Sequence, residues 1–202
     1  MHDEEEALAR VNAELEAAVR RRDGEAYRRL YAEKLLAERR AQSVAGGEFA
    51  VPLEGVDSEF EASGGIVLGD GLSVLVVCPV PSKVRPLQCA AVFFSGVHEY
   101  RVARLYDDVA GHRLFGKGLD HCQAFEVMNS EWLKSGPWAE ENPATRHFVL
   151  CFKDSVVEAL CKSIEWGREK RDVNDWIASF KESSVAIGAI LGVSRGSKSP
   201  IG

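Results

Sequence analysis

Side chains able to do chemistry gather in two stretches of this chain. One is Arg146-His147-Phe148-Val149-Leu150-Cys151-Phe152-Lys153-Asp154-Ser155-Val156-Val157-Glu158, which holds a histidine, a thiol, a lysine and two carboxylates. The other is the glycine-rich stretch around His112, just after Asp107 and Asp108. Loop histidines near carboxylates suit proton transfer or metal ligation. In the first stretch, a two-residue loop at Asp154-Ser155 sets Cys151 across from Glu158, Lys153 across from Val156 and His147 across from Lys162. A glutamate mid-strand beside a thiol is a setting that raises a carboxyl pKa and suits acid–base work. The same pattern more simply describes a partly exposed sheet face with a Lys153–Glu158 ion pair. The catalytic candidates are His112, Glu158 and Asp154, and the ligand-binding candidates are Asp107, Glu126, His147 and Cys151.

Other chemistries find less support. The five histidines show no HxH, HxxxH or HExxH spacing, so no metal is expected. Cys151 and Cys122, with His147 or His112 as base, have the residue types of a nucleophilic pair. Nothing flanking them would lower a thiol pKa, which favours buried structural cysteines. Ser155 lacks the GxSxG context of a nucleophile elbow, and Asp154-Ser155 more simply closes a turn. Gly69-Asp70-Gly71 and Gly116-Lys117-Gly118 match neither a P-loop nor a dinucleotide fingerprint, so no cofactor is expected.

The elements that must position these groups follow from periodicity. From Glu4 to about Ala41 the pattern is helical, with Leu8, Val11, Leu15 and Val19 on one face. Asp23-Gly24 interrupts it, with Asp23 placed to cap a second helix carrying Tyr27, Leu30, Tyr31, Lys34 and Leu35. Two antiparallel helices and one kinked helix both fit. A short strand over Glu48 to Leu53 lies within the connection 42–64, and strands follow at Gly65 to Leu68, Leu72 to Val80 and Leu87 to Phe94. Residues 95–120 read as loop, Cys122 to Val127 as strand, and Asn129 to Lys134 as a turn or short helix with Trp132 in the core. A polar loop with Pro137 and Pro143 leads to a hairpin of His147 to Phe152 and Val156 to Ile164. Alternation puts Phe148, Leu150, Phe152, Val157, Ala159 and Cys161 on its core face. His147, Val149, Cys151, Lys153, Glu158 and Lys162 take the other face. A helix over 155–166 is the rival, since Val156, Val157 and Leu160 also fit spacings of three and four. The expected fold is α+β in a single domain over 1–202. A helical segment (1–41) packs on a mostly antiparallel sheet (65–166), a helix spans 174–191, and a disordered tail spans 192–202.

Composition bounds the function classes. Hydrophobic residues make up 46% and charged residues 28% of 202, a globular balance. A net charge of −6 excludes a general nucleic-acid binder, which needs a basic face. Arg20, Arg21, Arg22, Arg28, Arg29, Arg39 and Arg40 are interleaved with acids, as on a solvated helix face. The acidic opening residues do not resemble a signal peptide, and apolar runs such as Leu72 to Val80 are too short to span a bilayer. A cytoplasmic protein without membrane contact is expected. The five cysteines are odd in number and lack a CxxC pair, which points to reduced thiols.

The region from about Gly96 to Glu165 resembles a family of uncharacterised bacterial proteins. The carriers are Tyr106-Asp107-Asp108, Gly111-His112-Arg113-Leu114-Phe115, Ala124 to Trp132 and, most clearly, Arg146 to Glu158. The family pattern there is HFxxxFHDSxxE, matched by His147, Phe148, Phe152, Asp154, Ser155 and Glu158, with Lys153 in place of its second histidine. The resemblance brings no activity with it. Asn12 to Tyr31 also resembles the opening helices of the SnoaL-like superfamily, which implies a cone-shaped α+β fold with an apolar pocket. Two function classes follow. The first is a binding or interaction protein, holding a small molecule beside the 147–164 hairpin, a protein partner or a second copy of itself. The second is a small-molecule enzyme using His112 with Asp107, Asp154 or Glu158, which requires His112, Glu158 and Asp154 to converge on one pocket.

Overall fold

The N-terminal helical pattern forms two helices, α1 (His2–Arg21) and α2 (Gly24–Val44), in the computed structural model, which describes residues 2–53, 66–80, 88–104, 109–169 and 173–190. Arg22 adopts a left-handed φ of 57°. Its N–H donates to the Val19 carbonyl while the Asp23 N–H reaches the Ala18 carbonyl, both at 3.0 Å. That bond pair closes a helix C-terminus, and Asp23 then caps α2 by accepting the Ala26 N–H at 3.0 Å. The two helices form a hairpin in which Val11, Ala18, Leu30 and Ala37 are buried. Val19, expected on that face, is exposed, because the buried stripe of α1 runs through its neighbour Ala18.

The strands are β1 (Phe49–Pro52), β2 (Ile66–Gly69), β3 (Ser73–Val80), β4 (Gln88–Ser95), β5 (Glu99–Arg104), β6 (Ala124–Met128), β7 (Arg146–Cys151), β8 (Ser155–Cys161) and β9 (Ser163–Glu169). Helices α3 (Glu131–Ser135) and α4 (Trp138–Glu141) lie between β6 and β7, and α5 (Val173–Ile190) follows β9. Every strand pair among the described residues is antiparallel, and there are two sheets rather than one. The first has the order β1-β6-β7-β8-β5 and the second β2-β3-β4-β9. They face each other across a core of Val74, Val76, Val92 and Phe94 on one side and Phe148, Leu150, Phe152, Val157 and Ala159 on the other.

The outer face of each sheet is also apolar and covered. Leu114 and Leu119, from the segment expected to be plain loop, fill the outer face of the first sheet against Phe125, Val149, Cys151 and Val156. Arg39 of α2 ties this covering loop to β1 by donating to the Ala50 and Gly118 carbonyls at 3.0 Å each. The approach is close enough that a Cβ at Gly118, whose φ is +86°, would sit 2.7 Å from the Ala50 carbonyl oxygen. On the other side, Phe180 of α5 packs on Leu75, Val77, Cys89 and Ala91 of the second sheet. Among the described residues, no helix is long and apolar enough to cross a membrane.

Four expectations are corrected. β5 lies inside the segment read as loop; Tyr100 and Val102 do alternate with Glu99 and Arg101, but the run is short and five of its six residues are exposed. The polar loop before the hairpin contains α4. The single strand expected over Val156 to Ile164 is two strands, because at Lys162 the chain leaves the first sheet and enters the second. Inward positions change there from 157, 159 and 161 to 164, which breaks the alternation. The hairpin register is also shifted: Val149, not Cys151, lies across from Glu158, and His147 lies across from Leu160. The Phe152 N–H donates to the Ser155 carbonyl at 2.8 Å, so the two residues at the tip are Lys153 and Asp154 rather than Asp154 and Ser155. A shift of two preserves parity, and the core face is the one that alternation predicts. Residues 155–161 are strand, which removes the helical rival.

Phe152 is fully buried between the sheets while the adjoining Lys153 is exposed. Phe152→Ala is expected to destabilise the protein by about 3–5 kcal/mol. Lys153→Ala should stay within about 0.5 kcal/mol. Urea unfolding of both variants measures the contrast, and equal effects would mean that the core face is misassigned.

Candidate functional site

Glu158 projects from β8 on the outer face of the first sheet, flanked on its own strand by buried Val156 and Leu160. A carboxylate there needs donors, because water is largely excluded. His147, one step along β7, places Nε2 at 3.0 Å from Oε2. The covering loop supplies two more donors: His112 Nε2 lies 3.3 Å from Oε1, and Arg113 Nη2 lies 2.8 Å from Oε2. Arg113 also reaches Glu48 at 3.6 Å, a carboxylate only 2% exposed that accepts the Glu131 N–H at 3.2 Å.

The second ring nitrogens set the tautomers. The Leu114 N–H donates to His112 Nδ1 at 3.2 Å, which makes Nδ1 an acceptor and leaves the proton on Nε2, facing Glu158. Ser130 Oγ accepts the Leu133 N–H at 3.1 Å and lies 2.8 Å from His147 Nδ1. The ionised Glu158 can only accept, so His147 presents Nε2–H to it, and the Nδ1 of the neutral ring then accepts the Ser130 hydroxyl. Trp132 packs edge-on against the His147 ring, at 5.1 Å between centroids, and donates its indole N–H to Glu99 at 3.2 Å. The Arg101 guanidinium stacks over the Trp132 ring at 3.9 Å.

Burial pushes the Glu158 pKa up, but hydrogen bonds from His112 and His147 and the charge of Arg113 outweigh it, holding the carboxyl well below the usual carboxylate range. The expected raised pKa is corrected in direction, and the imagined Lys153 partner is replaced by Arg113. A carboxylate so stabilised is neither a proton donor at neutral pH nor a strong base. Ser130, His147 and Glu158 have the residue types of an acyl-transfer triad, yet Ser130 is 3% exposed and serves as the cap of α3. Both imidazoles aim donors at Glu158 beside a guanidinium, and no group of three or more metal-ligating side chains is arranged for an ion among the described residues.

The structure thus brings together His112, His147 and Glu158, and does not bring Asp154, Glu126 or Cys151 into hydrogen-bonding contact with them. Asp154 stands in the exposed turn, with no hydrogen bond or ion pair to the cluster among the described residues. Glu126 faces the opposite side of the sheet and pairs with Arg146. Cys151 is buried in the outer apolar layer, and neither ring nitrogen of His147 is left to serve it as a base. Asp107 lies outside the described residues. Burial pushes the Cys78 and Cys161 thiols up to about 12, which keeps them protonated and unreactive. Spacing reveals neither Glu48 nor Arg113, whose partners come from distant segments.

A second concave feature lies on the far side of the molecule. Between α5 and the outer face of the second sheet is a groove of about 350 Å³, lined by Leu75, Phe93, Glu165, Gly167, Trp176 and Phe180. Gly167 forms open floor: a Cβ there would meet no atom within 4 Å. Phe93 and Phe180 meet edge to face at 6.3 Å. No family model, curated protein or solved structure matches this chain.

Because the Glu158 pKa is lower in the folded than in the unfolded chain, where it is about 4.3, its ionisation stabilises the fold at neutral pH. That contribution declines as pH falls below about 4.3 toward the folded value. Glu158→Gln is expected to cost about 3 kcal/mol at pH 7, the low end for breaking a buried pair because Arg113 reaches solvent. Urea unfolding should show the gap between wild type and variant narrowing from pH 7 to pH 3. A gap that does not change with pH would remove the linkage.

Proposed function

We propose that this protein binds a small apolar molecule in the groove between α5 and the second sheet, and that the Glu158 network is structural. The groove itself carries this reading: its size is at the lower end for small-molecule sites, and its walls are mainly apolar and aromatic with one carboxylate at the rim. The Glu158 cluster has the opposite character. Its acid is saturated by three donors, and its ring nitrogens are engaged on both sides. What it does physically is hold the covering loop and the start of α3 against the sheet.

A second reading is acid–base catalysis by His112 and Glu158, favoured by two imidazoles and a guanidinium within 3.3 Å of one carboxylate. It is placed behind the first because Asp154 does not join the cluster and the Glu158 pKa moves away from neutrality. The resemblance to the bacterial family fits the binding reading as well. His147, Phe148, Phe152 and Glu158 then serve core and network, and Lys153 replaces the family histidine at an exposed turn. A cytoplasmic location accords with buried, protonated thiols.

Titration with N-phenyl-1-naphthylamine, an uncharged fluorescent probe, tests the proposal. Saturable binding of one probe per chain is expected. Gly167→Leu, which fills open floor, should weaken it at least about tenfold without lowering the melting temperature. Glu158→Gln should leave probe affinity unchanged at a temperature where the variant is folded. Undiminished binding to Gly167→Leu, or loss of binding in Glu158→Gln, would overturn the assignment.

A further inference from the structure

Resting on the groove reading, we infer that the ligand carries a cationic head group, an amine or quaternary ammonium, held by Glu165 beside an apolar body. Glu165 pairs in register with Phe93 on the groove face of the second sheet. Directly opposed residues of an antiparallel pair hold their Cβ atoms about 4.5–5.5 Å apart, so the carboxylate stands next to the phenyl ring. Glu165 is exposed and has no hydrogen-bond or ion-pair partner among the described residues. Glu99 and Glu126 by contrast are engaged, the first by Trp132 and Arg101 and the second by Arg146.

The groove therefore combines the two features that favour an organic cation. Aromatic faces attract it through their quadrupoles, and an unpaired acid at the mouth supplies the counter-charge. No lysine or arginine lines the groove among the described residues, so an anionic ligand would meet only like charge. A bare metal cation has no claim on it, since a single carboxylate among apolar walls offers too few oxygens. The remaining explanation for an acid at this place is protection of the edge strand β9 against pairing. That role needs a charge but no relation to a ligand, and the two are separable.

Isothermal titration of the full chain with 4-phenylbutylammonium, 4-phenylbutanol and 4-phenylbutyrate keeps the apolar body constant and changes the head group. The ammonium compound is expected to bind about five- to tenfold more tightly than the alcohol, as for one solvent-accessible ion pair with a cation–π contribution. The carboxylate should bind most weakly. Glu165→Gln should remove the ion-pair part of this preference, bringing the ammonium compound to within about two- to threefold of the alcohol, and leave the alcohol unchanged. Equal affinities in the native chain, or an ammonium preference that Glu165→Gln leaves undiminished, would overturn the inference. Equal affinities that are all lost in Gly167→Leu would overturn it while leaving the groove reading intact. No binding by any of the three would overturn both. A chain that is dimeric by light scattering, and that binds a probe only when dissociated by dilution, would assign the groove to a second copy and also overturn it.

Discussion

A carboxylate placed among Val149, Val156 and Leu160 is the constraint from which much of this structure follows. Removing it from water costs several kcal/mol unless donors take the place of solvent. One donor, His147, is available on the neighbouring strand, and it does not suffice for both oxygens. The others must arrive from outside the sheet. The loop carrying His112 and Arg113 is therefore laid over the outer face, and Leu114 and Leu119 of the same loop bury the apolar residues around the charge. Polar satisfaction and hydrophobic covering are supplied by one segment. The attachment continues through Arg113 to Glu48 and through His147 to Ser130, which together secure the first turn of α3.

The second sheet solves a different problem. Its inner face completes the central core, and among the described residues its outer face is covered by α5, which leaves a groove beside β4 and β9. A glycine on the edge strand removes side-chain volume where the helix stands away. The groove and the Glu158 network thus lie on opposite outer faces of the sandwich. Stacked sheets are about 10 Å apart, so the two cannot touch a common ligand. The histidine–carboxylate cluster, attractive by residue type, and the cavity, which no motif marks, therefore belong to different faces of the fold.

The hairpin shows how much of this could be read from residue order. Alternation of Phe148, Leu150 and Phe152, resumed at Val157, Ala159 and Cys161, identifies the core face because strand geometry repeats every two residues whatever the partner. Asp23 as a cap and the helical N-terminus were legible for the same reason: capping and helical period depend on residues within a few positions of one another. Register was not legible. A two-residue slip leaves every side chain on its face, so no pattern of polar and apolar residues distinguishes a turn at 154–155 from one at 153–154.

What the sequence by itself determined, then, is local: element types, the faces they bury, the α+β class and the fact that His147 and Glu158 share a surface. Tertiary structure alone decided that the strands divide into two sheets at Lys162, that Arg113 and Glu48 join the charge network, and that a groove opens at Gly167. The physical reason is that backbone periodicity is written in short-range steric and hydrogen-bonding rules. Charge pairing and cavities arise instead where segments distant in the chain are brought together, and the energy of that meeting has no signature in the spacing of either segment.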